Sequence, residues 1–227
     1  ALLISCGCNP ANKTDKDMES IALQKGSYGF DAQFLSKHGK GVVELTSDDG
    51  NSKLLLAAGY QGRVLTSTAT GDTGLSFGWI NYDLIKAGAF KKQFNPIGGE
   101  ERFWIGPEGG QFSIYFRKGD SFNINHWQVP ALIDTVPYSI KEQDSQKVVF
   151  TASGTLVNYS GHPRTVAIER RVSLLNRDAV AQKLGSKLPE NIKVVAYESQ
   201  NNLTNAGEED WKKEQGLLSV WLLGMFT

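Results

Sequence analysis

The sequence predicts an all-β fold, a sandwich of short antiparallel strands, and three observations carry that prediction. Short segments with apolar residues at alternate positions recur along the chain, roughly a dozen of them. Turn signals built from Gly, Asn, Asp and Ser separate them at intervals of about ten residues. Helical periodicity is scarce. With 227 residues, 40% of them hydrophobic, the chain is long enough to bury a core, and one large domain is the default.

Taken in order, residues 1–8 read as the end of a lipoprotein signal, 9–27 as a polar linker and 28–227 as one β-sandwich domain. Phe30, Ala32 and Phe34 alternate with polar neighbours, which predicts a half-buried strand. Val42–Leu45 is a second strand, and Ser47–Asn51 is a turn in which Gly50 can take positive φ. The acids of that turn lack the spacing of a calcium loop, so a hairpin is the better reading. Lys53–Ala58 and Arg63–Thr70 are strands joined at Gly59–Gly62, and Leu75–Leu84 is an aromatic-rich segment. Ile85–Phe94 connects it to Gly98–Phe116, whose last part, Gln111–Phe116, is strand-like. Ser121–Val136 is irregular, with Pro130 opposing a central strand. Ser139–Glu142 and Lys147–Ser153 resume the strands. Arg164–Leu175 alternates most cleanly, with Val166, Ile168, Val172 and Leu174 on one face and Arg170 interrupting it. Glu169, Arg170 and Arg171 read as an ion pair on the strand face. Arg177–Leu184 is a short helix, with Asn176 as N-cap and Gly185 just past its end. Ile192–Tyr197 is a strand, Asn201–Asp210 a loop and Leu217–Leu223 a strand. The sequence stops at Met225-Phe226-Thr227 directly after this apolar strand, so the gene product is expected to continue and the domain to be incomplete.

Lys plus Arg and Asp plus Glu both number 24, for a formal net charge of zero. Phosphate backbones are bound by basic stripes, so no nucleic acid is expected as a partner. The two cysteines, Cys6 and Cys8, stand in the first ten residues, which leaves the body without a disulfide or a cysteine metal site. Ala1-Leu2-Leu3-Ile4-Ser5-Cys6 looks like the end of a bacterial lipoprotein signal peptide, with Cys6 as the lipidated residue. It predicts an envelope protein that meets the membrane through a lipid anchor only. No Walker loop, nucleophile elbow, zinc-metalloprotease helix or dinucleotide fingerprint is present, and no cofactor or metal is expected.

Candidate site residues cluster around Gly98–Phe116. Arg102 and Trp104 are two apart and share a strand face, with Phe103 and Ile105 on the other. An indole stacks on the apolar face of a pyranose, and a guanidinium donates paired hydrogen bonds to hydroxyls or a carboxylate. The competing reading makes Trp104 core and pairs Arg102 with a local acid such as Glu100. Glu108, on the turn before Gly109-Gly110, is either a general base or a turn cap. His126 and Trp127 sit in the irregular loop, where an imidazole can work as an acid or base or simply be hydrogen-bonded. Glu198, Asn201 and Asn202, followed by Trp211, have the residue types of a sugar groove.

GGEERFWIGPEGG, followed by NYSGHPRTVAIERRVSLL and YESQNNLTNAGEEDWKKEQGLLSVWLLGMF, resembles an uncharacterised family of bacterial lipoproteins. These in turn resemble the galactose mutarotase-like superfamily of aldose 1-epimerase type. The resemblance runs from about Tyr28 onward. It implies an antiparallel β-supersandwich with a sugar-sized groove on its concave face. The superfamily holds epimerases, domains of lyases and glycoside hydrolases, and members without known activity, so fold does not fix function. Its epimerases use two histidines and a late glutamate. His38, His126 and His162 match none of those positions, and the glutamate is expected beyond Thr227. Arg102 is the residue the resemblance carries over.

The functional expectation is therefore a carbohydrate-binding or carbohydrate-modifying protein. Its epimerase form would use His126 with Glu108 or Glu198 as the proton-transfer pair, and Arg102, Trp104, Trp127, Asn201, Asn202 and Trp211 to bind the sugar. A binding module without turnover, and a glycosidase working through Glu100 and Glu198, are the alternatives.

Overall fold

The computed structural model describes residues 23–227; Cys6, the lipobox and most of the linker lie outside the described residues. The elements in order are α1 (Tyr28–His38), β1 (Val42–Thr46), β2 (Lys53–Ala57), β3 (Arg63–Thr68), α2 (Tyr82–Ala87), β4 (Arg102–Gly106), β5 (Ser139–Gln143), β6 (Lys147–Val157), β7 (Pro163–Leu174), α3 (Arg177–Leu184), β8 (Tyr197–Asn205) and β9 (Ser219–Leu223). Every strand pairing is antiparallel, in sheets of order β1-β2-β3, β4-β9 and β5-β6-β7-β8. A bridge between Val64 and Glu101 joins β3 to the start of β4. The fold is all-β and sandwich-like, and among the described residues no sheet closes into a barrel.

Two cores share β2. Val43, Leu45, Leu54 and Leu56 pack with Phe103, Val148, Phe150, Val166 and Val172 between the sheets. Leu55, Ala57 and Leu65 point the other way, onto Tyr28 and Leu35 of α1 and Ile85 of α2. A strand covered on both faces needs no polar face, which is why Lys53–Ala57 reads Lys-Leu-Leu-Leu-Ala instead of alternating. β7 is covered on one face, and Arg164, Val166, Ile168, Arg170, Val172 and Leu174 are its buried set.

Four sequence expectations are corrected. Residues 28–38 form α1, not a strand. Tyr28, Asp31 and Leu35, spaced three and four apart, are its buried side, Ser27 caps it, and Lys37 and His38 occupy its last turn. Asp31 ties that helix down, accepting from Tyr82 Oη at 2.5 Å and from Ser76. The strand expected over Ile192–Tyr197 is not formed there: residues 192–196 lie outside any strand, and β8 begins only at Tyr197. Gln111–Phe116 buries Ile114 and Tyr115 without a ladder, because turn bonds such as Ile114 N to Pro107 O hold its backbone. Asn201–Asn205, expected as loop, belongs to β8, where pairing with β7 overrides the weak strand preference of asparagine.

Candidate functional site

The pocket lies where β3, the turn before β4 and β8 meet. Gly98 and Gly99 both have positive φ, 95° and 107°. A Cβ on Gly98 would fall 2.2 Å from Trp79 O, and one on Gly99 2.7 Å from Val64 O. Glycine alone fits there, and the pair delivers Glu100 against β3. Ser67 donates to Glu100 Oε2 at 3.0 Å, while Oε1 has no protein donor among the described residues. Glu100 is 4% exposed, and burial pushes its carboxyl above the usual range although the bond from Ser67 opposes that shift. The phenol of Tyr197 stands within electrostatic reach but short of a well-formed hydrogen bond. It is held undissociated by burial and then by the charge of Glu100.

These groups line a cavity of about 490 Å³. Phe77, Val195 and Phe226 give it apolar wall, while Ser67, Glu100, Tyr197 and Thr227 give it hydroxyls and a carboxyl, with Lys193 at its exposed side. A cavity of that size, with a few convergent polar groups and one perturbed acid, has the features of a small-molecule site. Among the described residues no three His, Cys, Asp or Glu side chains group as a metal ion would require.

Residues 26–227 match the model of a family of unknown function, DUF6786. The chain belongs to this family. No curated protein and no solved structure matches it.

Within this DUF6786 chain the residues singled out from sequence disperse. Arg102 does not face an open groove. Its guanidinium donates to Asp134 Oδ1 at 2.8 Å and to Ile133 O at 2.9 Å, and it stacks 4.3 Å from the Trp104 ring. Trp104 is 2% exposed, and its indole N–H donates to Glu108 Oε1 at 2.7 Å. Glu108 is thus occupied by the buried tryptophan, and no stacking face of Trp104 is open to a sugar. Trp127 stacks on Tyr115 with centroids 5.5 Å apart, and Trp211 packs against the main core. His126 is exposed and bonded to Ser121; it lines a separate cleft with Arg117 and Lys118.

Strand alternation splits the remaining cluster. Tyr197 and Asn201 point inward, and Asn201 Oδ1 accepts from Arg170 at 2.6 Å. Glu198 and Asn202 point outward. Glu198 pairs with Lys183, which with Gln200 holds its carboxyl below the usual range. Asn202 lines a trough on the open face of β5–β8 with Thr151, Glu169 and Thr204. Glu100 and Glu198 therefore lie on opposite faces of β8, which removes the two-carboxylate pairing. The expected ion pair within Glu169–Arg171 is also corrected: Glu169 pairs with Lys141 across the sheet, and Arg170 is buried against Glu101.

Sequence reasoning weighed Glu100 only as a partner for Arg102 or Glu198, and it missed Ser67, Phe77 and Tyr197. The Gly98-Gly99 pair was the available signal: consecutive glycines announce a close backbone approach, and the residue they deliver is the one to examine.

Proposed function

We propose that the chain binds a carbohydrate in the Glu100 pocket and that Glu100 moves a proton on it, in the manner of an aldose epimerase. One observation carries this reading: a carboxyl raised by burial, with one buried oxygen free of protein donors among the described residues, stands in the wall of a cavity that also has aromatic and hydroxyl walls. A carboxyl poised above its ordinary range can both give and take a proton. Phe77 and Phe226 offer apolar faces to a pyranose, and Ser67 and Tyr197 offer hydroxyl partners. The lipobox at Cys6 belongs to the same proposal, placing the domain at a bacterial envelope. Partition into the detergent phase that survives Cys6→Ala would remove the anchor.

The test pairs a calorimetric panel of common hexoses with a polarimetric mutarotation assay. Wild type is expected to bind and accelerate mutarotation. Glu100→Gln is expected to keep binding within about tenfold and lose at least about a hundredfold in rate. Binding without any acceleration over buffer would make the protein a sugar-binding module, and failure to bind any sugar would end the carbohydrate reading.

A further inference from the structure

We infer that a small monovalent anion, of the halide or nitrate class, is held among Arg63, Arg102 and Tyr138. The bridge between Val64 and Glu101 sets Arg63 and Arg102 directly opposite each other on β3 and β4, so their side chains leave from one face. Arg170 reaches the same region, with Nε donating to Gly62 O at 2.9 Å. The exposures are 1% for Arg63, 5% for Arg102 and 0% for Arg170. Like charges directly opposite repel, and burial removes the water that would screen them.

Charge balance identifies what is needed. Asp134 neutralises Arg102 at 2.8 Å and Glu101 neutralises Arg170 at 2.6 Å. No carboxylate among the described residues forms an ion pair with Arg63, so one positive charge is left over. Arg63 Nη1 donates to Gly98 O at 3.0 Å, but Nε and Nη2 have no protein acceptor among the described residues. Arg102 Nε and Tyr138 Oη have none either, and Tyr138 lies within electrostatic reach of all three arginines. Buried donors without acceptors, gathered around one surplus charge, fit a desolvated monovalent anion. A divalent anion would overshoot the charge, and water would satisfy the donors but leave the charge in place.

The test follows thermal unfolding of the chain as chloride replaces gluconate at constant ionic strength, alongside crystals soaked in bromide. Tm is expected to rise by about 3–5 °C per tenfold increase in chloride above the dissociation constant. A bromine anomalous peak is expected against Arg63 Nη2. Tyr138→Phe, which keeps the ring and removes one donor, is expected to shift the response to higher chloride. Arg63→Met, where it folds, is expected to abolish it. Equal Tm in both salts, with no bromine peak between the arginines, assigns water to these donors and overturns the inference. A chloride response unchanged in Tyr138→Phe, with bromine elsewhere, overturns it as well.

Discussion

Glu100 and Asp49 are carboxyls pushed in opposite directions by their surroundings. Asp49 is exposed on the β1–β2 turn and accepts from Ser47 Oγ at 2.6 Å and from Asn51 N at 3.0 Å, and these bonds bring it down to about 2. Its stabilising contribution is present above the ordinary aspartate value of about 4 and is lost as pH falls towards 2. Glu100 is raised by burial, so its contribution is full below the ordinary glutamate range and is lost as pH rises through its folded value. Carboxyl NMR titration is expected to show Asp49 with its midpoint near 2 and Glu100 with a midpoint above the usual range. Glu100→Gln is expected to flatten the fall of stability between the ordinary glutamate range and that midpoint; an unchanged pH profile would show that Glu100 ionises freely. Arg170 supplies a second contrast. Glu101→Ala strands a guanidinium with no exposure and is expected to cost about 3–5 kcal/mol in a denaturant titration. Glu169→Ala breaks an exposed pair with Lys141 and is expected to leave the midpoint where it was. The break in the β7 alternation at Arg170 was legible, but it read as part of an ion pair on the strand face and not as a buried charge. Its partner was not legible, because Glu101 is distant in sequence and comes close only through the Val64 bridge.

α3 and α1 show what made an element legible. α3 carries its boundaries in plain form: Asn176 Oδ1 accepts from Ala179 N at 2.8 Å, and Gly185 closes the helix in the left-handed region. Asn176→Ala is expected to cost about 1 kcal/mol by chemical denaturation, with Asn176→Asp close to neutral; equal loss in both would mean that the cap bond is not what the residue supplies. α1 has a cap and a basic last turn as well, but Phe30, Ala32 and Phe34 imitate a strand. Phe34 packs at the side of the helix on Tyr82 and His38, while its buried line runs through the polar Asp31, which a hydrophobicity pattern cannot count. β8 failed in the opposite sense. Its asparagines read as loop, and only the β7 ladder fixes which of them face inward towards Arg170 and which face outward. Because the candidate site depends on that assignment, a cluster adjacent in sequence was divided between two faces of a sheet.

Across the whole molecule, β2 is the layer through which the helices and the sandwich are coupled. Leu55 faces the helix side and Leu56 the inter-sheet side, one residue apart on the same backbone. Neither core is closed without β2, so neither is expected to survive the loss of the other, and the Val64–Glu101 bridge extends the coupling to β4 and to the turn that carries Glu100. Leu55→Ala and Leu56→Ala are each expected to cost about 2–5 kcal/mol, the spread reflecting how far each cavity collapses. Native-state hydrogen exchange distinguishes coupled cores from independent ones. If the layers unfold together, either substitution lowers protection in α1 and in β7 by the same amount, because the slowest amides of both open only in the global transition. Loss confined to α1 in Leu55→Ala, with β7 unchanged, would instead make the helices a separate unit laid over the sandwich. Ser67 and Glu100 stand on the coupled elements β3 and the β4 turn, so the cooperative outcome also predicts that Leu55→Ala weakens ligand binding only in proportion to the fraction unfolded.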